Sequence, residues 1–404
     1  QTIKADAKSA NQTVRLTIGT RWFQWTDGND RGVYDFSKRL AFFVDPEAHR
    51  LVEMSLYANL TGREAELDNR LMLGGALDAG KAADNPMAPT MAEHQLSLRR
   101  DGNGPSGIER KITNETLFVW HAKEFFAYST QLVPLAAADR DLYIRYVRYT
   151  VGGHPEILDD LQKLDGIPKW LRYRDPAFGT AVRLEVMESK TMPDAPYVLP
   201  VLLKASMKNT ALASAAAAVT ASTPESRAAA LARILTAANQ AADAGKPLQA
   251  MLGYLERNLM IGGDLPPDFH ARKEKIVHDA NVQALVASVQ ASSEAQAKEN
   301  VATLNRLALL AGEKAYVVGI FRANMESPLG NGQAAIDLFV AALSKNPFIT
   351  GVWKDLGDSL DTGYDAVDTW RCYEIARIIA PAHGLLAGVA DKEAAMLKKH
   401  PEYF

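Results

Sequence analysis

The sequence predicts an α+β protein: a β-rich or mixed α/β N-terminal domain over residues 1–205, then an all-α stack of helical hairpins over 206–404. Three observations carry this expectation. Short runs in the first half alternate apolar and polar residues, the period of a half-buried strand. The second half is alanine-rich and punctuated by strong helix starts and glycine stops. Most aromatics and prolines precede residue 205, so the composition itself changes there.

Bulk properties set limits on function. A chain of 404 residues can bury a core without staples. Its 45 basic and 48 acidic residues give a net charge of −3, which argues against a globally basic nucleic-acid binder. The single cysteine, Cys372, excludes an internal disulfide and a cysteine-rich zinc site. No apolar run approaches the roughly 20 residues of a membrane span. The first residue is Gln1 rather than Met, which fits an exported chain freed of its signal peptide. A periplasmic or secreted bacterial protein is therefore expected, with a cytoplasmic location kept open.

Within the first half, Val14–Ile18 and Leu40–Val44 read as strands. Residues 52–60 alternate strictly and are read as a strand closing a hairpin with 40–44. A rival reading makes 46–60 a helix opened by Pro46 and stopped at Gly62. Gln95–Arg99 and Ile108–Ile112, joined by the glycine-rich turn 101–107, suggest a second hairpin. Residues 116–149 are ambiguous. Asp139–Thr150 reads as a helix stopped at Gly152-Gly153, and Pro155–Leu164 as a short helix. Ala181–Met187 and Tyr197–Leu203 are further strand candidates.

The second half is clearer. Thr223-Pro224-Glu225 combines a cap, a proline at the first helical position and a first-turn acid. That helix should end at Gly245, and 247–260 should follow, stopped by Gly262-Gly263. Pro267 should open one long helix to about Gln290, and Ser293 with Gln296 should cap the next.

Pro347 and Pro381 are 34 residues apart. Between them stand Trp353-x2-Leu356-Gly357-x2-Leu360 and Thr369-x3-Tyr373-x2-Ala376. Trp353, Leu356 and Leu360 fall on one helical face, Gly357 and Ala376 are small where helices cross, and Pro381 forces a turn. One unit upstream, Ala335, Phe339, Ala342 and Pro347 keep the same spacing for a second helix. This pattern resembles the tetratricopeptide-repeat family, specifically over 350–383, partly over 316–349 and weakly over 224–262. The resemblance implies helix–turn–helix units whose first helices line a groove for a protein or peptide partner. By position it places Gly351, Lys354, Asp358 and Asp361 in that groove, with Val317, Ile320, Asn324 and Ser327 one unit upstream. Gly384–Lys399 then reads as a capping helix.

Chemistry-bearing patterns are sparse. Trp22, Trp25 and Asp27, with Tyr34 and Phe36 nearby, are the residues that would suit sugar stacking or peptide capture; the plainer reading is a core strand followed by an Asp-Gly turn. Asp27–Gly32 approaches a calcium loop, but Arg31 and Lys38 occupy ligand positions, so no metal is expected. The eight histidines show no HExxH spacing, and no nucleophile elbow or phosphate-binding glycine loop occurs. No cofactor is expected and the catalytic residues are unknown. His121 and His94 are the histidines that would serve an enzyme if placed in a pocket against buried carboxylates. The Tyr143–Tyr149 run alternates base and aromatic, a stripe more consistent with half-buried tyrosines and snorkelling arginines than with nucleic-acid binding. The expected function is thus a scaffold or protein-binding role through the helical groove. The alternative is a hydrolase-type enzyme with its site in the N-terminal domain and the repeats as an accessory or dimerisation module.

Overall fold

The structure, a computed structural model, describes residues 2–5, 12–45, 47, 49–76, 85, 87–99, 106–174, 181–193, 195–201, 203–204 and 207–404. The chain divides into two compact units, one of residues 1–205 with 400–404 and one of residues 206–399. The fold class is α+β as expected: antiparallel sheet in the first part, helices throughout the second.

The first unit carries strands β1 (Thr2–Ala5), β2 (Gln12–Ile18), β3 (Trp22–Asp27), β4 (Asp30–Asp35), β5 (Leu40–Asp45) and β6 (Arg50–Ser55). Helices α1 (Leu56–Ala76) and α2 (Pro89–Leu96) follow. Next come β7 (Glu109–Ile112), β8 (Glu115–Trp120), β9 (Lys123–Ser129) and β10 (Leu132–Pro134). The unit continues with α3 (Ala137–Tyr146), a π-helical turn at Val147–Val151 and α4 (Pro155–Gln162). It closes with β11 (Gly166–Pro168), β12 (Trp170–Arg174), β13 (Ala181–Glu185) and β14 (Leu203–Lys204). Twelve strands form one sheet in the order β14-β6-β5-β4-β3-β2-β1-β13-β12-β9-β8-β7, and β10 pairs with β11 separately. All described pairings are antiparallel except β14 with β6.

Several local expectations meet the structure here. The hairpin from Leu40 forms, with Leu40 opposite Ser55 and Val44 opposite Leu51. The alternation read over 52–60 ends early, because the chain turns helical at Leu56. Leu56, Leu60, Leu67 and Gly74 are buried at helical spacing, so packing of one helix face overrides the short alternating run. Gly62 does not stop this helix. Gln95–Arg99 is not a strand: Gln95 and Leu96 end α2, and β7 pairs with β8 instead of with 95–99. Residues 101–105 of the expected turn lie outside the described residues. No strand covers 197–201; the strand there is only Leu203–Lys204. The helix from 139 forms as α3 and its π-helical extension, ended by Gly152 at φ +89°.

The second unit contains α5 (Thr210–Ala221), α6 (Pro224–Asp243), α7 (Pro247–Ile261), α8 (Pro267–Ile276), α9 (Ala280–Ser288) and α10 (Glu294–Leu310). The remaining helices are α11 (Ala315–Glu326), α12 (Gly332–Lys345), α13 (Thr350–Thr362), α14 (Ala366–Ile379) and α15 (Ala387–Lys399). The Thr223 hydroxyl accepts from the Ser226 amide while the Ser226 hydroxyl accepts from the Thr223 amide, a reciprocal cap for α6. The long helix expected from Pro267 is instead two. The chain breaks after Ile276, and the Asp279 carboxylate caps α9 by accepting from the amides of Asn281 and Val282.

Helices α11–α12 and α13–α14 form hairpins, giving the stack the character of helical repeats. Trp353 is fully buried and donates its indole N–H to the Pro347 carbonyl at 2.8 Å. At Gly357 a Cβ would lie 2.5 Å from the Tyr373 ring, so the absence of a side chain lets α13 and α14 cross closely. Helix α7 packs against the first helices of both hairpins, α11 and α13, and α5 packs against the second helices, α12 and α14. The hairpin layer is thus covered on both sides by helices of the same chain.

Candidate functional site

The surface that first helices present in a repeat stack is here largely occupied. The buried Glu256 carboxylate on α7 accepts from the Asn346 amide at 2.6 Å and also from Lys314 and Tyr316, which fastens α7 to the hairpins. The Thr350 hydroxyl donates to the Met260 carbonyl at 2.7 Å. A Cβ on Gly351 would stand 3.4 Å from the Leu259 carbonyl. Gly351, Val317 and Ile320 are therefore interior, while Ser327 is exposed at the end of α11.

What remains accessible is a polar strip along α13. Asn324 hydrogen-bonds Asp355 from α11. The Lys354 ammonium lies 2.6 Å from Asp358 and 3.5 Å from Asp355. The Tyr373 hydroxyl donates to Asp358 at 2.7 Å, and Lys392 of α15 donates to Asp361 at 2.9 Å. The structure thus joins four of the eight sequence-singled groove residues, Asn324, Lys354, Asp358 and Asp361, into one network with Asp355, Tyr373 and Lys392.

The electrostatics of the strip follow from burial. Burial raises the Asp355 carboxyl above the ordinary range, opposed by the Lys354 charge. Burial works against the Lys354 ammonium too, but the bonds to Asp358 and Asp355 outweigh it and its pKa rises. Burial and the Asp358 carboxylate raise the Tyr373 phenol, so it stays a neutral donor. Asp358 and Asp361 keep 44% and 34% of their side-chain surface in solvent. Both sit in the last turns of α13, where the helix dipole disfavours negative charge. From Lys354 to Glu374 the hairpin carries Asp355, Asp358, Asp361, Asp365, Asp368 and Glu374 against Lys354 and Arg371.

The aromatic residues of the first unit do not form one platform. Trp22 and Trp25 are three residues apart on β3, so they project to opposite faces of the sheet. Trp25 lies over Gly32, its cross-strand partner, where a Cβ would come within 2.4 Å of the indole nitrogen. Trp22 covers Gly19 and meets Tyr197 edge-on at 5.3 Å between ring centres. Asp27 is the last residue of β3, paired with Asp30 across the turn at Gly28-Asn29. The segment 27–32 that approached a calcium loop is this hairpin, and the described residues hold no cluster of three metal-ligating side chains.

The two histidines singled out in the sequence lie in a turn and in the interior. His121 and Ala122 have φ of +48° and +59° and form the two-residue turn between β8 and β9. His94 is buried, its ring tilted against Phe125 with centres 4.2 Å apart, and its Nδ1 accepts from the His154 amide at 3.0 Å. Burial lowers its pKa to about 3, so it is held neutral. Beside it His154 Nε2 meets Glu93 at 3.0 Å, with 2% and 5% of the two side chains exposed. The sequence pointed to His94 but not to Glu93 or His154; a buried acid and a distant histidine carry no local pattern. Tyr143, Tyr146 and Tyr149 are buried, and Arg145 lies over the Phe36 ring at 4.5 Å, so the basic-aromatic stripe faces inward. Cys372 is buried in α14, and burial pushes its thiol well above the ordinary range.

No helix among the described residues is long and apolar enough to cross a membrane. The chain matches no protein-family model, no curated protein and no solved structure.

Proposed function

We propose that the chain is a partner-binding protein whose helical unit recognises a basic protein segment along the C-terminal end of α13. One observation carries this reading. Asp358 and Asp361 are kept half-exposed and rigidly held at the helix end where negative charge is least favourable. Lys354, Tyr373 and Lys392 offset that local cost, so two carboxylates are retained, part-exposed, where the helix itself disfavours them, a departure from local preference of the kind found at functional surfaces. The covering of the neighbouring face by α7 supports the same reading, because it leaves this strip as the accessible edge of the first helices. Cationic side chains of the partner would replace or join Lys354 and Lys392 on the two carboxylates, with affinity that falls as salt rises.

The test compares the full wild-type chain with Asp358→Asn/Asp361→Asn as bait in extract of the source cells. The substitution keeps shape and removes charge from the helix C-terminus. Loss of a retained partner, with the thermal midpoint unchanged or raised, is the expected outcome. Retention of the same partner by both baits, at low and at high salt, would refute the reading.

A further inference from the structure

Residues 400–404 belong to the first unit and are held there almost wholly by side chains. Their own backbone bonds are local: the Tyr403 amide donates to the His400 carbonyl and the Phe404 amide to the Pro401 carbonyl, a single 3-10 turn opened by Pro401. Tyr403 is fully buried, and its hydroxyl lies 3.0 Å from the Leu96 carbonyl and 2.9 Å from the Ser97 carbonyl. The Tyr149 hydroxyl donates to the Tyr403 carbonyl at 2.8 Å. The Phe404 ring lies tilted against Tyr57 with centres 4.8 Å apart. His400 lies 3.1 Å from Glu64 and 3.6 Å from Glu402.

The floor of this socket is bonded independently of residues 400–404. Arg63 donates to the Leu96 carbonyl at 2.7 Å and Arg148 to the Ser97 carbonyl at 3.1 Å. Those are the two carbonyls that receive the Tyr403 phenol, so both stay satisfied if Tyr403 leaves. The π-helical turn aims Arg148 and Tyr149 into the socket, and Ser97 holds φ +54° to present its carbonyl. The guanidinium groups of Arg63 and Arg148 also lie over the Tyr403 ring, at 5.7 Å and 5.3 Å. A pre-formed polar floor, cationic walls and an aromatic neighbour are the parts of a peptide-recognition site.

We propose that the first unit carries a peptide-binding socket for a turn-forming segment of the type Pro-acid-Tyr-Phe, occupied in cis by residues 401–404 as a detachable ligand. Residues 401–404 fold on themselves and add no strand to the sheet, so their exit costs the unit their side-chain contacts and the bond from the Tyr149 hydroxyl to the Tyr403 carbonyl. This inference stands apart from the reading of α13.

The test uses the full chain and a dye-labelled peptide of sequence Lys399–Phe404. Tyr403→Ala/Phe404→Ala, which empties the socket, should bind the peptide at least tenfold more tightly than wild type, and a peptide with alanine for tyrosine should not bind. Equal binding to both chains, or none to the folded variant, would overturn the proposal. Should the variant fail to fold, hydrogen exchange on the wild-type chain decides. The Tyr403 and Phe404 amides should then exchange at least tenfold faster than those of Phe126 and Leu171 in the central strands. Exchange of all four at one rate would show the tail to be inseparable core. A tail found in the socket of a second copy, as a concentration-dependent dimer in light scattering, would overturn the cis occupant.

Discussion

Gly357 admits no side chain, because a Cβ there would stand 2.5 Å from the Tyr373 ring. Gly357→Val should destabilise the chain by about 2–3 kcal/mol in urea unfolding, from overpacking at the α13–α14 crossing. His94 makes the matching case for charge. Its folded pKa of about 3 lies below the ordinary histidine value, so the unfolded chain binds the proton more readily. The stability from keeping His94 neutral is complete above about pH 6.5 and is lost as pH falls toward about 3. Over that window wild type should lose stability, by roughly 3–5 kcal/mol at the low end. His94→Asn, which offers an acceptor near the position of Nδ1, should show a flatter profile of unfolding midpoint against pH. A variant as acid-sensitive as wild type would locate the effect elsewhere. The sequence made Gly357 legible through its place in a spaced pattern. It left the state of His94 illegible, because that state is set by Phe125 and His154, 31 and 60 residues away.

Helices in the second unit start where local chemistry says they start. Thr223, Asp279 and Ser293 each accept an amide hydrogen bond at a helix N-terminus. Asp279 also explains why one expected helix became two: it can cap α9 only if α8 has already ended. Asp279→Ala should cost about 1 kcal/mol in thermal or urea unfolding. The seating of α7 rests on a different kind of interaction. Glu256 is buried with three donors around it, so Glu256→Ala should cost about 3 kcal/mol or more, by leaving Asn346 and Tyr316 without their acceptor. Nothing around Glu256 in the sequence marks it as interior, since its partners lie 58–90 residues away. In the first unit the hairpin β5–β6 was legible from alternation, and β3 as a core strand followed by an Asp-Gly turn, without its partner β4. The pairings of β1 with β13 and β9 with β12 join distant segments and carry no local signal.

Across the whole molecule, the physical logic of the two units differs. The first is a broad sheet whose interior is aromatic: Phe23 stacks on Tyr34, and Tyr34 packs on Tyr149. Among its described residues the His154–Glu93 pair is buried, while His400 meets the partly exposed Glu64 and Glu402. The second is a helical stack whose inner helices α11 and α13 pack against α7, with the carboxylates of Asp358 and Asp361 part-exposed at the end of α13. The repeat-like spacing made the hairpins legible, but it could not show that a helix 90 residues upstream would lie on them, because covering a face is a tertiary event. The most direct measurement places a photoreactive phenylalanine analogue at Thr362, beside Asp361, or at Ile378, on the exposed face of α14, in the full chain inside the source cells. The account predicts a protein adduct from position 362 that disappears with Asp358→Asn/Asp361→Asn, and none from position 378. An adduct from 378 alone, or one from 362 that survives loss of both carboxylates, would contradict it.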